Sequence, residues 1–401
     1  MHVAYVCADP GVPVFGSKGC SVHVQEVVAA LRRAGAAVHL FAARLDGEAP
    51  SSLRDVPVEP LPCAAAGDPA ARERAALRAN AALDTALSRQ GPFDLVYERY
   101  SLWSHAGMEH ARATGAAGLL EVNAPLVEEQ QRHRALVDRA AAERVAARVF
   151  GAASALLAVS RPLAEWLEKD PAARGRVHVV PNAVDPARFP PGLRPSRPAL
   201  LGVFTIGFLG SLKPWHGLEV LADAFARVRA VRPGSRLLVV GDGPARAGFE
   251  ADLDARGLAG SVVMTGAVAP GRVPALLASM DAAVAPYPER PDFYFSPLKV
   301  YEYMAAGLAV VASRFGPMEE TIRHGVSGLL CPPGDAAALA DALLDLADLP
   351  KLRGALGREA RRAVLAEHTW ARVADVILDL ARAARRAPGA NAHDARLEAR
   401  R

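Results

Sequence analysis

"HVAYVCADPGVPVFGSKGCSVHVQEVVAALRRAG", residues 2–35, decides the fold. Its first seven residues, 2–8, form an apolar run of strand length. A loop carrying Gly16 and Gly19 follows. Then Val24, Val27, Val28 and Leu31 recur at the spacing of one helix face. Strand, glycine loop and helix in that order are the first unit of a parallel sheet, because a parallel partner strand needs a crossover connection.

The pattern continues along the chain. Apolar runs at 37–43, 93–98, 117–123, 155–160 and 177–182 supply further strands of a first half. Runs at 204–210, 236–243, 261–266, 281–287, 308–313 and 327–332 supply those of a second. Amphipathic segments separate them. The expected class is α/β, with two doubly wound Rossmann-like domains facing a cleft. Pro186, Pro190, Pro191, Pro195 and Pro198 crowd one short segment that can be neither helix interior nor central strand. The expected division is a first domain at 1–185, a proline-rich linker at 186–202 and a second domain at 203–370. A C-terminal helix at 371–387 would pack back on the first domain, and 388–401 would form a basic, disordered tail.

Composition narrows the function. The 401 residues are 51% hydrophobic and 22% charged, enough for large cores. The net charge is only +4, and the last 20 residues alone carry six arginines against Asp394 and Glu398. The body is therefore near neutral, and no nucleic-acid partner is expected. The tail is a solvated terminus or a weak peripheral contact for an anionic membrane surface. No apolar run reaches the roughly 18–20 residues that span a bilayer. The N-terminus has no basic leader, so a cytoplasmic location is expected, including the inner membrane face. Cys7, Cys20, Cys63 and Cys331 are scattered, without metal-ligand or disulfide spacing.

Lysine is rare: five of 47 basic residues. Three of the five, Lys18, Lys213 and Lys299, fall in short segments rich in glycine or at a helix start. Lys299 lies in "FSPLKVYEYMAAG", where Ser296 is a good N-cap and Pro297 suits the first helical position. A cation there opposes the helix dipole by roughly 0.3–1 kcal/mol. The free amides of Leu298 and Lys299 would hold an anion, and a bound diphosphate would reverse that penalty. The plain alternative is an ion pair from Lys299 to Glu302, three residues on. "GSLKPWHG", 210–217, is a second anion loop, with Lys213 as its cation and His216 as a proton-dependent donor. An imidazole beside phosphates would have its cationic form favoured. Trp215 is better placed to pack than to stack a base. Gly16 and Gly19 let backbone amides approach a phosphate, though a plain tight turn explains them as well.

In the order "GSKGCSVHVQE", "VVPNAVDPARF", "IGFLGSLKPWHGLEVLADAF", "LLVVGDGP", "VMTGAV", "SPLKVYEYMAAGLAVVAS", "GPMEETIRHGVSGLL" and "HTWARVADVILDL", the chain resembles the retaining GT-B glycosyltransferases of family 4, over residues 1–385. The resemblance implies transfer of a sugar from a nucleotide-diphosphate sugar to a hydroxyl acceptor, with retention and with neither metal nor other cofactor. It implies donor binding mainly in the second domain and acceptor binding in the first. Lys213, Lys299 and His216 would then stabilise the leaving diphosphate. Gly16, Lys18, Gly19, Gly210, Ser211, Ser296, Pro297 and Leu298 would line the donor's phosphates, and Gly266 to Val268 its base. Glu302 matches the second glutamate of the family's E-x7-E motif and would hold the ribose diol. Tyr294 stands where the family has the first glutamate, with Asp292 near enough to deputise. The family's usual arginine and lysine in the second loop are Ser211 and His216 here. Glu98, Arg99 and Asn123 end first-domain strands and are acceptor or sugar contacts by position. The alternative reading is a GT-B protein that binds without transferring and partners another transferase.

Overall fold

The computed structural model describes residues 1–63, 67–289 and 293–386. The chain divides into two compact units. The first comprises Met1–Pro181, Tyr294–Ser296 and the chain from Trp370 onward; the second comprises Asn182–Phe293 and Pro297–Thr369. Asp292 and the tail at 388–401 lie outside the described residues.

The first unit is built on a seven-stranded sheet: β1 His2–Cys7, β2 Ala37–Ala42, β3 Val58–Pro60, β4 Leu95–Arg99, β5 Ala117–Val122, β6 Ala155–Ala158 and β7 Val177–Val179, in the order β3-β2-β1-β4-β5-β6-β7. All neighbours are parallel, with Val3 opposite Val38 on one side and Leu95 on the other. β3 was not expected from the sequence. At three residues on the sheet edge it is too short to show a period.

β1 starts the sheet because every residue from Val3 to Cys7 is fully buried, as strands covered on both faces require. The helix Gly19–Arg33 follows, and its buried stripe contains Val24, Val27, Val28 and Leu31. The final helix, Trp370–Arg386, packs on that helix and on β5. Trp370 is 1% exposed and meets the His23 ring edge-on at 5.1 Å between centroids. An indole of this size buries roughly 150–250 Å², an upper bound of about 4–6 kcal/mol toward holding the chain's end on this unit.

The second unit carries six strands: β8 Thr205–Leu209, β9 Arg236–Val240, β10 Val262–Met264, β11 Ala282–Ala285, β12 Ala309–Ser313 and β13 Leu329–Cys331, in the order β10-β9-β8-β11-β12-β13. Its core gathers Phe208, Phe225, Leu237, Val284 and Leu343. In each sheet the order reverses beside the first strand, at β1/β4 and at β8/β11. Loops leaving the carboxyl ends of β1 and β8 diverge from their neighbours there, which opens a crevice for a ligand.

Candidate functional site

In the second unit the loop after β8 is pinned by backbone bonds. The Gly210 amide donates to Val240 O at 2.9 Å, and that of Leu212 to Asp242 O at 3.0 Å. A short 3-10 turn, Pro214–His216, then leads into the helix Leu218–Val231. Gly217 joins them at φ 68°. A Cβ at this position would stand 1.6 Å from the Pro286 carbonyl oxygen. Gly217→Ala is therefore expected to cost roughly 2 kcal/mol or more, from the left-handed backbone and the backbone collision together. Denaturant melts check it; a variant as stable as the wild type would mean the loop adapts freely.

Across this loop stands Lys299, on the helix Leu298–Ala305. It is 8% exposed, and its Nζ has no hydrogen-bond acceptor among the described residues. Aromatic faces surround it instead: Phe208 at 4.2 Å and Tyr287 at 5.4 Å from Nζ to ring centroid. Burial pulls its pKa down to about 7. His216 lies beside it, with Nδ1 buried and unpartnered among the described residues. A Cβ placed on Gly210 would be 2.9 Å from Lys299 Nζ and 3.9 Å from His216 Cε1, so both nitrogen-bearing groups converge on that glycine's backbone. In the protein alone, burial first, and the Lys299 charge second, pull the His216 pKa down to about 3. Lys213 is half-buried, its Nζ 5.7 Å from the Trp215 ring centroid. Ser211 is exposed on the same loop.

The helix begins one residue later than its sequence suggests. Pro297, not Ser296, is the N-cap, and it offers no side-chain acceptor. Lys299 and Glu302 do not pair. Glu302 instead meets Arg188, with Nη1 to Oε1 at 3.2 Å. Burial raises the Glu302 pKa and the Arg188 charge opposes the rise. Arg188 was missed in the sequence, although it sits in "VDPARF" just beyond the last first-half strand. Gly266 closes the end of β10, accepting at its carbonyl oxygen from the Gly241 amide at 3.1 Å, with Val268 two residues beyond.

In the first unit a cavity of about 800 Å³ opens at the carboxyl ends of β1 and β4. Asp9, Arg99, Trp103, Asn123, Glu129 and Arg134 are among its lining residues. Arg99 and Asn123 both line it. Both are held from behind by Glu121: Arg99 Nη1 donates to Oε1 at 3.0 Å and Asn123 Nδ2 to the same oxygen at 2.5 Å. Tyr97 Oη donates to Oε2, and His23 Nε2 lies 2.7 Å from it. Sequence reasoning missed Glu121. It had Glu98 instead, and there the structure corrects it. Alternate residues of a strand face opposite sides. Glu98 points under the helix Ala106–Thr114, where Ser104 Oγ donates to it at 2.5 Å and a Cβ on Gly107 would collide with Oε2 at 2.3 Å. It is fully buried and absent from the cavity wall, and burial pushes its pKa up to about 7.

Gly16, Lys18 and Gly19 do not line this cavity; Asp9 to Val12 and Cys20 do. Gln25 Nε2 ties the glycine loop down, donating to Val14 O at 2.7 Å and to Gly16 O at 2.9 Å, and Lys18 is exposed at the helix start. Tyr294 and Ser296 group with the first unit, although they lie between segments of the second in sequence. Ser160 Oγ donates to Tyr294 O at 2.7 Å, and Tyr294 Oη donates to Glu129 Oε1. Among the described residues no three His, Cys, Asp or Glu side chains are placed to hold a metal ion, and no helix is long and apolar enough to cross a membrane.

Comparison with known proteins adds to this geometry. Residues 17–188 match the family described as Glycosyltransferase Family 4, and residues 203–348 match Glycosyl transferases group 1. A D-inositol 3-phosphate glycosyltransferase of Saccharomonospora viridis is 33% identical over 53% of this chain. The chain spans about half the length of such curated relatives, 51% for this one and 49% for a glycogen synthase of Mycobacterium tuberculosis that is 29% identical over 52% of this chain. The solved sucrose-phosphate synthase of Thermosynechococcus elongatus superposes with TM-score 0.74 at 19% identity, covering 95% of this chain and 98% of that one. Anabaena HepE, solved with UDP, gives 0.72 at 20% identity over 94% and 99%. These two likenesses are of fold, and the fold is GT-B. The two family matches take in every strand but β1, together with the loop after β8, and the chain belongs to the group 1, family 4 glycosyltransferases.

Proposed function

We propose that the chain transfers a sugar from a nucleotide-diphosphate sugar to a hydroxyl acceptor, with retention and without a metal ion. One observation carries this reading: a buried ammonium, Lys299, that has no acceptor among the described residues and faces a backbone loop at a switch point. Burying an uncompensated cation is costly, and a bound diphosphate compensates it.

In this reading Lys299, Lys213 and the amides near Leu298 stabilise charge as the bond from the anomeric carbon to the diphosphate oxygen breaks. His216 joins them once the phosphate favours its cationic form. Glu302, held by Arg188, receives the ribose hydroxyls. The acceptor oxygen bonds to the anomeric carbon, and its proton passes to the departing phosphate. No carboxylate nucleophile is required, unlike the two-carboxylate glycosidases. The mixed acidic, basic and amide wall of the first unit's cavity suits a polyhydroxylated acceptor.

The test is nucleotide release from UDP-, GDP-, ADP- and dTDP-sugars in the presence of a chelator. UDP-sugars come first, because the Anabaena neighbour was solved with UDP. Polyols and their phosphates come first as acceptors, given the name of the Saccharomonospora relative. Lys213→Ala should lower turnover about tenfold, less than a fully desolvated cation would. Absence of release from every donor, or release only on adding a divalent ion, would overturn the reading.

A further inference from the structure

The helix Leu126–His133 carries Glu129 onto the cavity wall of the first unit. Its carboxylate is half-buried and has one protein partner: Oε1 accepts from Tyr294 Oη. Oε2 has no donor among the described residues. Tyr294 is itself anchored, by Ser160 Oγ at its carbonyl oxygen and by its ring against the first unit's core. Phenol and carboxylate thus form a fixed pair with one oxygen left open to the cavity. Both oxygens of Glu73 there accept amides, from Val137 at 2.8 Å and Asp138 at 3.0 Å. Asp9 also has one oxygen held, but by the amide of Gly11, two residues on, at 2.7 Å, whereas Glu129 is held by a side chain from a distant segment.

A carboxylate held at one oxygen and open at the other is a directed acceptor for an O–H donor. We propose that Glu129, positioned by Tyr294, binds a hydroxyl of a sugar or polyol in this cavity and so fixes which hydroxylated ligand is held there. It rests on the transferase reading only in expecting a hydroxylated ligand. It also gives Tyr294 a use: the phenol sets the direction of a carboxylate supplied from the helix Leu126–His133.

The experiment compares wild type, Glu129→Gln, Tyr294→Phe and the double variant. Saturation-transfer NMR follows binding of methyl α-D-glucopyranoside, myo-inositol and glucose 6-phosphate, which needs no turnover. Titration with UDP reports on the second unit. Glu129→Gln should weaken at least one of these probes about tenfold, the difference between a charged and a neutral acceptor. Tyr294→Phe should weaken it several-fold, and the double variant no more than Glu129→Gln alone, because Tyr294 acts through Glu129. UDP affinity should stay at the wild-type value. Both changes are near-isosteric at partly exposed sites; if one variant fails to fold, the other still carries the test.

Nucleotide release from UDP-glucose separates the sources of the hydroxyl. Lower release without acceptor assigns it to the donor sugar; a loss confined to acceptor-stimulated release assigns it to the acceptor. Wild-type probe affinity in both variants, additive losses, or a wild-type cavity that takes none of the probes would overturn the proposal. If no donor is turned over while the probe losses persist, the transferase reading fails and this one stands.

Discussion

Lys299→Met is expected to raise the thermal stability of the protein and to lower nucleotide-sugar turnover about a hundredfold or more. The two effects have one cause. Lys299 is enclosed by Phe208 and Tyr287 and has no acceptor among the described residues, so the folded protein bears the cost of a desolvated cation. Methionine is of similar length, and its thioether is at home beside aromatic rings. The same substitution removes the cation expected to meet the leaving diphosphate, and single donors of that kind are worth roughly 10²–10³ in turnover.

The pH dependence gives the sign. Burial lowers the folded pKa of Lys299 to about 7, below the unfolded value of about 10.4. Below pH 7 both states carry the charge, and the folded state bears the full penalty. Between these values the unfolded state binds more protons, and wild-type stability rises with pH. The stability gap in favour of Lys299→Met should therefore be widest at pH 6 and narrow toward pH 9. UDP affinity should run the other way. The phosphate is already ionised above about pH 6, so wild-type affinity falls as pH rises beyond 7 and the lysine loses its proton. The methionine variant should show no such fall. Melts and calorimetric titrations at several pH values check both; a destabilised variant, or one with wild-type turnover, would defeat the assignment.

Much of the fold was legible because its signals are local. Strand-length apolar runs separated by amphipathic segments identify two parallel sheets, and β3 escaped because three edge residues carry no period. The second unit's site was legible for a similar reason. Gly210 and His216 directly follow β8 and Lys299 opens the helix between β11 and β12, so placing the strands places the residues. The first unit's site was not legible in this way. Choosing Glu98 over Glu121 is a question of strand facing, and both stand near the end of an apolar run. Only the partners of Glu121 on β4, on the helix Gly19–Arg33 and at Asn123 decide it. Tyr294 could be compared with its neighbours in sequence, but its partner Glu129 lies 165 residues away, and no local signal links them.

Glu121→Ala is expected to cost the first unit about 3–5 kcal/mol, the range for removing one partner of a buried charge pair. The carboxylate is 4% exposed, and four side chains converge on it. Without it the largely enclosed Arg99 guanidinium, 13% exposed, loses its counter-ion, while Tyr97 Oη and the Asn123 amide lose their acceptor. Glu121→Gln keeps the shape and one acceptor oxygen, so it should cost less at neutral pH, and it removes the titration. Burial alone would raise the carboxyl pKa. The His23 charge and hydrogen bond, with Arg99 and Asn123, overcome burial and hold it well below the usual carboxylate range. The folded pKa is thus depressed. Its stabilisation is complete above the unfolded value of about 4.3 and is lost progressively as pH falls from there toward the folded value. Wild type should therefore lose stability steadily below pH 4, while Glu121→Gln, lacking this group, loses less. The gap between the two in urea melts should shrink from pH 6 to pH 3. A gap that stays constant over that range would mean that the network holds Glu121 by shape alone, with no gain from its charge.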